Sequence, residues 1–437
     1  MKIDQIHRKL LTSMFVWAPA LCFGSMDTSF EACHAAMRAQ VPQYPEVTPE
    51  SFDRFTQGVQ DLRPKIEQAT SSQPEFELQI WDYLTRLLDP ERVQLGQQMQ
   101  QELADALMNI ASKEGVDGAT TVAVFGVESN FGRMKGRYPV VDATMSRACL
   151  RLSNAERQRH FFAALWLLQE GRVQPDAFKG SWAGAFGMTQ FMPGTFKSLV
   201  HDAGDTTPLD IINKPADALT ATARYLKSLG WKAELPWAVE VRLPNQDAQW
   251  VHDSASGAEH ACLTAVKPDR KCRTVQAWAN AGLLRVDGSA LLGPASSALA
   301  GLSADTNSAL LLPAGVVGPA WLITQNYRAI WGYNRADAYA LAIGLLSDIL
   351  RGAPGQQTAW PTDDLGLTRA QMRELQELLR ARGACDVQAD GFDGPLTRKA
   401  VMLEEKAQGW PETGRVGMRL LKALQVAPAP LPMANCP

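Results

Sequence analysis

The sequence AYALAIGLLSDIL, residues 338–350, is apolar nearly all round. Such a segment is typical of a helix buried on every side, and about thirteen residues are too few to span a membrane. Upstream, apolar side chains recur at three- and four-residue steps between positions 76 and 110, which is the spacing of amphipathic helices. We therefore predict a mainly α fold in which several helices pack around residues 338–350.

One part of the chain departs from this helical pattern. Val239, Val241 and Leu243 alternate with polar side chains, and Pro244 follows them. Alternation predicts a strand, and the proline ends it. We expect a small β or irregular insert at about 233–290.

A second domain is predicted after residue 352. Residues 352–362, GAPGQQTAWPT, are rich in glycine, proline and polar side chains, which is typical of a linker. We place the linker at 353–364, a small three-helix domain at 365–426 and a proline-rich tail at 427–437. A core of about sixty residues is marginal, so a disulfide that ties the tail back would stabilise it.

The first residues have the layout of a secretory signal. Lys2, Arg8 and Lys9 precede an apolar stretch at 10–23, and small residues follow it. We predict a signal peptide at 1–25 and export to the periplasm; a buried N-terminal helix is the alternative. Lipid attachment at Cys22 is a further option, although Leu21 is larger than the residue that usually precedes such a site.

Six cysteines remain once the predicted signal and its Cys22 are removed. An even number in an oxidising compartment favours disulfides, although six cysteines allow fifteen connectivities. Proximity in sequence and domain membership favour three bridges: Cys33–Cys149, Cys262–Cys272 and Cys385–Cys436.

Composition narrows the function classes. A hydrophobic fraction of 46% with 20% charged residues predicts a folded chain. The 43 Lys and Arg residues face 46 Asp and Glu residues, for a net charge of -3, without the basic excess of a nucleic-acid-binding protein. No CxxC pair suggests zinc, and the six His residues are scattered. We expect a monomer with no metal, no other cofactor and no nucleic-acid partner.

The segment TTVAVFGVESNFGR, residues 120–133, places Glu128 directly after an apolar run. A carboxyl group at the end of a buried helix is partly desolvated, and desolvation favours the protonated form that a general acid needs. Glu128 is therefore a candidate catalytic acid. The alternative is an ordinary glutamate that faces water at a helix end.

Two further segments carry groups suited to a sugar ligand. Residues 180–193, GSWAGAFGMTQFMP, combine glycines that admit close backbone approach with Ser181 and Gln190, which can donate and accept hydrogen bonds. Residues 326–339, NYRAIWGYNRADAY, concentrate aromatic rings and amides. Taken alone, the first could be a packing turn and the second a polar helix entry.

Together the motifs GVES, GAFGMTQFMP and YNRADAYALAIGLL resemble those of the MltB-type lytic murein transglycosylases. The resemblance implies a lysozyme-like helical catalytic domain at 26–352, with Glu128 as the single catalytic acid and base. It further implies that seven residues bind substrate: Arg157, Ser181, Gln190, Tyr225, Tyr333, Asn334 and Tyr339. Some relatives carry a calcium loop, but the segment that begins at residues 201–210 does not place oxygen ligands at the first, third, fifth and twelfth loop positions together, so we expect no calcium.

The C-terminal segment resembles the three-helix peptidoglycan-binding domain of many cell-wall enzymes. The resemblance rests on FDGPLTRKAV and GWPETGRVG. It implies that residues 365–426 hold the enzyme on the cell wall. The alternative is a small helical module for dimerisation or packing.

The resemblance also implies a mechanism. One glutamate cleaves the bond between N-acetylmuramic acid and N-acetylglucosamine without water and leaves 1,6-anhydromuramyl ends. Asp142, the other carboxylate considered, is expected to cap a helix. A hydrolytic lysozyme-like muramidase, which would use two carboxylates, and a non-catalytic peptidoglycan-binding scaffold are the alternatives. The expected partners are peptidoglycan glycan strands and other cell-wall enzymes.

Overall fold

The computed structural model describes residues 29–70, 78–202, 208–244, 262–263, 272–292 and 301–426. The predicted signal peptide and the proline-rich tail lie outside these residues. Helices dominate the described chain and a small sheet interrupts them, so the predicted mainly α fold class is confirmed. Among the described residues, no helix has both the length and the apolar character needed to cross a bilayer.

Within the described residues, nine helices of the large domain precede the glycine-rich segment, residues 180–193. They are α1 (Phe30–Ala39), α2 (Pro49–Phe55), α3 (Arg63–Thr70), α4 (Ile80–Leu87), α5 (Pro90–Glu102), α6 (Ala104–Glu114), α7 (Gly118–Ser129), α8 (Val140–Cys149) and α9 (Ala155–Gln169). Five more follow in the same domain: α10 (Pro193–Asp202), α11 (Pro215–Ser228), α12 (Val275–Asn280), α13 (Gln325–Asn334) and α14 (Asp337–Leu350).

Helices α7 and α14 pack against each other at the centre of this domain. Most of α14 is buried, which confirms the buried core helix predicted at 338–350. Gly344 permits a close approach there, since a Cβ at this position would lie 2.5 Å from the Trp237 ring. Helix α7 begins where Asp117 accepts a hydrogen bond from the Thr120 N–H at 2.9 Å, which satisfies a free donor of the first turn.

The strands form two small antiparallel sheets. A two-stranded sheet joins β1 (Tyr138–Pro139) to β2 (Lys179–Gly180). A five-stranded sheet has the order β4-β6-β7-β3-β5. Its strands are β3 (Ala238–Arg242), β4 (Cys272–Thr274), β5 (Leu284–Arg285), β6 (Asn307–Leu311) and β7 (Ala320–Ile323).

The sheet confirms the strand predicted around Val239 and Val241, but it extends beyond the predicted insert. Strands β6 and β7 lie after residue 290, and β7 pairs along β3 with Val239 opposite Leu322. Both later strands are buried, so they lack the alternation that marks a half-exposed strand. The sheet that includes the predicted strand therefore continues beyond residue 290, to Ile323.

Three helices make up the C-terminal domain: α15 (Arg369–Ala381), α16 (Pro395–Ala407) and α17 (Met418–Val426). They share a separate apolar core, and a Thr368–Gln371 capping box starts α15. The segment predicted as a linker, residues 353–364, packs against the large domain. Glu240 accepts hydrogen bonds from the N–H groups of residues 357 and 358 at 2.8 and 2.7 Å, and the Trp360 ring lies 6.0 Å from that of Trp81.

Two of the predicted disulfides are confirmed. Cys33–Cys149 ties α1 to the end of α8, and Cys262–Cys272 closes a short loop at the edge of the sheet. Cys385 is also disulfide-bonded, and its predicted partner Cys436 lies outside the described residues.

Candidate active site

Glu128 is the penultimate residue of α7, where the helix ends in a fixed geometry. Asn130 takes the left-handed conformation, with φ 50°, and its N–H donates to the Gly126 carbonyl at 3.0 Å. The buried Ser129 hydroxyl donates to the Met188 carbonyl at 2.5 Å and accepts from the Gly132 N–H at 2.8 Å. The bond from Ser129 attaches the last turn of α7 to the glycine-rich segment. The orientation of the Glu128 backbone therefore depends on the helix end and on that segment.

Tyr339 of α14 donates a hydrogen bond from its hydroxyl to Glu128 Oε1. The Tyr339 side chain is buried, and burial together with the nearby Glu128 charge raises the pKa of this phenol well above its usual value. Tyr339 is therefore a hydrogen-bond donor throughout the neutral range. Its sequence-predicted role was substrate binding, but the structure directs its hydroxyl to the candidate acid.

Three aromatic rings from different elements meet beside this pair. The Tyr333 ring lies 6.3 Å from Tyr339 and 5.1 Å from Tyr225. Phe191 of the glycine-rich segment lies 5.7 Å from both Tyr225 and Tyr333. The Tyr333 hydroxyl donates to the Thr189 carbonyl at 2.8 Å. Helices α11 and α13 and the glycine-rich segment thus converge, as the sequence predictions for Tyr225 and Tyr333 require.

The glycine-rich segment folds tightly on itself and on its neighbours. Gly184 and Gly187 have φ values of 89° and 78°, a region that side chains disfavour. Gln190 also has a positive φ of 52°, and its Nε2 donates to the carbonyls of Lys135 and Gly187 at 3.1 and 2.8 Å. The Gln190 amide is thereby oriented, and its oxygen can accept a hydrogen bond from a ligand.

Ser181 forms hydrogen bonds within the glycine-rich segment. Its hydroxyl oxygen accepts from the Ala185 N–H at 3.2 Å, while the backbone N–H of Ser181 donates to the Ala185 carbonyl at 2.8 Å. The side chain is only partly buried, so its hydroxyl hydrogen can still reach a ligand. Ser181 therefore stabilises the turn, and its role in substrate binding stays a prediction.

A second arginine joins the predicted Arg157. Nη1 of Arg157 donates to the Arg147 carbonyl at 3.1 Å, and Nη1 of Arg147 donates to the Ala183 carbonyl at 3.2 Å. Burial, and then the charge of Arg157, lowers the pKa of Arg147. Sequence reasoning missed Arg147 because only the packing of α8 against the glycine-rich segment brings it there.

Two further polar residues considered in the sequence stand on α13 and α8. Asn334 is exposed at the end of α13, and the structure gives it no side-chain hydrogen bond to another predicted site residue in the described ranges. Asp142 is not the N-cap that its sequence context predicts: Pro139 holds that position, and Asp142 is the third residue of α8. Burial raises the pKa of the Asp142 carboxyl.

A cavity of about 430 Å³ opens at Glu128. One wall belongs to the large domain and includes Arg86, Arg92 and Met134. The other wall belongs to the C-terminal domain and is formed by Leu367, Arg369, Met372, Gly391, Phe392 and Asp393. The candidate acid therefore faces a space that both domains enclose.

Arg92 is the most buried charge in this cavity, with 6% of its surface exposed. Its Nη1 donates to the Gly126 carbonyl at 3.0 Å, the same carbonyl that accepts from Asn130. A guanidinium at the C-terminal end of a helix also complements the helix dipole. Sequence reasoning missed Arg92 because it stands in a polar stretch of α5 that resembles a solvated face.

The other cavity carboxylate is engaged in ion pairs. Asp393 accepts from Arg86 Nη2 at 2.7 Å and from Arg398 Nε at 2.8 Å. In the part of the chain that the structure describes, no three His, Cys, Asp or Glu side chains cluster as metal ligands would. The two ion pairs of Asp393 link Arg86 of the large domain to Arg398 of the C-terminal domain.

Comparison with known proteins adds family evidence to this geometry. Residues 29–348 match the family described as the transglycosylase SLT domain, and residues 368–424 match a peptidoglycan-binding domain family. Membrane-bound lytic murein transglycosylase B of Escherichia coli (strain K12) is 32% identical over 153 residues. That alignment takes in 34% of this chain and 41% of the relative, less than half of the relative's length.

Solved structures of SltB3 from Pseudomonas aeruginosa match over a longer stretch. The complex with NAG-anhNAM-pentapeptide is 37% identical, with a TM-score of 0.62, and the match covers 91% of this chain and all of that one. The complex with NAG-NAM-pentapeptide is 38% identical, with a TM-score of 0.63, over 91% of this chain and 99% of that one.

Proposed function

The chain belongs to the family of transglycosylases with an SLT domain, and on this premise we propose that it is a lytic murein transglycosylase of the periplasm. It cleaves the β-1,4 bond between N-acetylmuramic acid and N-acetylglucosamine and leaves a 1,6-anhydromuramyl end. The names of two relatives support this activity: one is a lytic murein transglycosylase and the other binds an anhydromuramyl peptide.

In the first step, Glu128 acts as the general acid. Its carboxyl proton passes to the glycosidic oxygen as the bond from that oxygen to the muramyl C1 breaks. The Tyr339 hydroxyl bonds Oε1 of Glu128 and so orients the carboxyl group. The positive charge that develops on the sugar ring is stabilised by the substrate's own 2-acetamido oxygen.

In the second step, the ionised Glu128 acts as the base. It takes the proton of the muramyl 6-hydroxyl while that oxygen forms a bond to C1. The carboxyl group is thereby restored, and no water is consumed. Because both reacting groups belong to one sugar, the barrier falls through proximity once the ring is held. Ser181, Gln190, Asn334 and Arg157 hold the substrate, and the Tyr225–Tyr333 aromatic group packs against it.

The observation that carries the proposal is the hydrogen-bonded pair Glu128–Tyr339 at the cavity. Glycosidases that hydrolyse their substrate usually use two carboxylates. The second carboxylate among the described cavity residues, Asp393, is held between Arg86 and Arg398. This arrangement favours a mechanism with one carboxylate over the hydrolytic alternative.

Glu128→Gln tests the proposal on purified peptidoglycan. The amide keeps the shape of the side chain but has no acidic proton, so we expect no cleavage and unchanged sedimentation of the protein with the cell wall. Glu170→Gln, a change at an exposed position, is the matched control and retains wild-type activity. Mass spectrometry of the wild-type digest identifies the chemistry, since anhydro ends are lighter by one water than hydrolysed ends.

Cleavage by Glu128→Gln at the wild-type rate would remove Glu128 from the mechanism. Hydrated muramyl ends alone, from an otherwise active wild-type enzyme, would favour the hydrolytic alternative. Binding without release of any fragment by the wild type would favour the scaffold.

A further inference from the structure

The cavity at Glu128 has a second wall that the large domain does not supply. Arg369 stands at the first position of α15, in the C-terminal domain, and lines the same cavity as Glu128. Of its apolar neighbours in the wall, Leu367 and Met372 are buried in the core of the C-terminal domain, whereas Phe392 is exposed. A ligand that extends away from the catalytic bond therefore meets a cation beside an exposed aromatic ring.

Arg369 differs from the other two arginines of the cavity. Arg86 is paired with Asp393 at 2.7 Å. Arg92 donates to the Gly126 carbonyl and lies 3.9 Å from Asp89. The Arg369 guanidinium stacks over the Phe392 ring, 5.0 Å from its centroid, and no carboxylate of the described residues pairs with it. Its hydrogen-bond donors are thus available to an anion in the cavity.

The position of Arg369 is fixed by contacts between the domains. Arg86 of α4 bonds Asp393, and Arg373, one turn after Arg369 on α15, bonds Glu91 of α5. The Gly366 N–H donates to Asp82 at 2.8 Å. These contacts hold Arg369 at the cavity independently of the linker between the domains.

Each wall of the cavity carries one exposed apolar side chain, Phe392 in the C-terminal domain and Met134 in the large domain. Phe392 is 49% exposed and Met134 is 56% exposed, and both line the cavity. Large apolar side chains left in water beside a cation suit a ligand with short aliphatic groups and a carboxylate. The glycan backbone of peptidoglycan has no charge, whereas the peptide attached to its muramic acid carries carboxylates and alanine methyl groups.

We infer that the C-terminal wall of the cavity, together with Met134 of the large domain, binds the peptide substituent of muramic acid, with Arg369 on a peptide carboxylate and Phe392 and Met134 on its aliphatic groups. The inference rests on the proposed function, because it assigns a subsite to the same reaction. The C-terminal domain then contributes directly to substrate choice at the catalytic centre and does more than retain the enzyme on the wall.

Kinetics on two matched substrates test this subsite. One is a set of glycan strands that carry their peptides, and the other is the same strands after an amidase has removed the peptides. For Arg369→Gln we expect KM on the peptide-bearing strands to rise about tenfold or more, because a charge-assisted bond is lost. KM on peptide-free strands should not change. Arg369→Lys should give an intermediate KM, since an ammonium cannot bond a carboxylate in the planar two-point geometry.

Arg419→Gln is the control for charge alone. Arg419 is exposed on the same domain, lies outside the cavity lining and stacks on Trp410, so its loss should leave both KM values unchanged. Equal KM increases on the two substrates, or no increase on either, would overturn the peptide subsite. Absence of anhydro ends with wild-type enzyme on both substrates would instead refute the proposed function, so the two failures are distinguishable.

A binding measurement gives a second, independent readout. Glu128→Gln can be titrated with an N-acetylglucosaminyl-anhydromuramyl disaccharide that bears the peptide, and with the same disaccharide without it. The subsite predicts tighter binding of the peptide form and loss of that preference in Glu128→Gln/Arg369→Gln. A preference that survives in the double variant would contradict the role of Arg369.

Discussion

Arg415 of the C-terminal domain donates a hydrogen bond from Nη1 to Asp82 Oδ2 of α4 at 2.7 Å. Asp82 is buried and also accepts from the Gly366 N–H. A side chain at residue 366 would have its Cβ 2.9 Å from the Asp82 carboxylate, so glycine is needed for this contact. The two domains are therefore joined by a specific polar contact close to the cavity they share.

Asp82→Ala should loosen this docking. Arg415 would keep its ion pair with Asp364, at 2.8 Å, but it would lose Asp82, and the buried Gly366 N–H would lose its acceptor. A buried donor without a partner costs about 1–3 kcal/mol, so we expect a loss of about 2 kcal/mol. Proteolytic cleavage within 353–364 should then become about thirtyfold faster where opening limits it. Asp53→Ala, which breaks the exposed Arg38–Asp53 pair, should change the rate less than twofold. Equal protease resistance of Asp82→Ala and wild type would show that other contacts hold the domains.

Tyr339→Phe should lower kcat about tenfold to a hundredfold. The change removes only the hydroxyl that bonds Glu128, and a hydrogen bond to a charged group contributes about 1.5–3 kcal/mol. Tyr327→Phe is the matched control, because Tyr327 is equally buried and bonds a different carboxylate, Asp337, at 2.7 Å. Both variants should lose stability, measured as Tm, but only Tyr339→Phe should lose kcat. A parallel loss of kcat in the two variants would assign the effect to packing.

Arg92→Met should lower both stability and activity. The guanidinium holds the Gly126 carbonyl, two residues before Glu128, and lies 3.9 Å from the buried Asp89. Removing one partner of a buried pair is destabilising, although Asp89 keeps hydrogen bonds from two N–H groups of its helix. We expect a lower Tm, a KM unchanged and a kcat about tenfold lower for the folded enzyme, because the last turn of α7 is less restrained. A kcat equal to that of wild type would mean that the hydrogen bonds of Asn130 and Ser129 are enough to hold the last turn of α7.

The sequence predicts those parts of the molecule that local chemistry determines. The period of apolar residues identifies α7 and α14, and the position of Glu128 at the end of an apolar run follows from the same pattern. The catalytic role assigned to Glu128 and the substrate roles assigned to its neighbours stay predictions that the experiments above address.

Other features depend on packing between distant segments, which spacing does not encode. Arg92, Arg147 and Arg369 lie on three different helices, and each looks like a solvent-facing charge in its own segment. Strands β6 and β7 were missed because both of their faces are buried. The sequence predicts only a substrate-binding role for Tyr339, since nothing in its segment reveals that its hydroxyl bonds a residue 211 positions away.

His160 should make the large domain sensitive to acid. Its Nδ1 accepts from the Gly194 N–H at 3.1 Å, so the ring is neutral in the folded state, and burial, reinforced by Arg159, lowers its pKa to about 4. The unfolded chain, with a pKa near 6.5, binds the proton first as pH falls. Stability is therefore complete above about pH 6.5 and is lost towards pH 4, by about 3 kcal/mol in total. Asp348 acts in the opposite sense, since burial raises its pKa to about 6 and its ionisation disfavours the folded state as pH rises.

The two effects overlap between about pH 4 and pH 6, so the wild-type curve alone does not separate them. In Asp348→Asn the opposing contribution is gone, and we expect its free energy of unfolding to rise more steeply with pH across this range than that of wild type. In His160→Gln the amide oxygen can still accept from Gly194, but the proton-linked loss is removed, so the curve should fall with pH while Asp348 ionises. Urea unfolding at pH 4.5 and pH 7.5 measures both slopes. If His160→Gln and wild type lose the same free energy between these pH values, the protonation of His160 is not what weakens the domain.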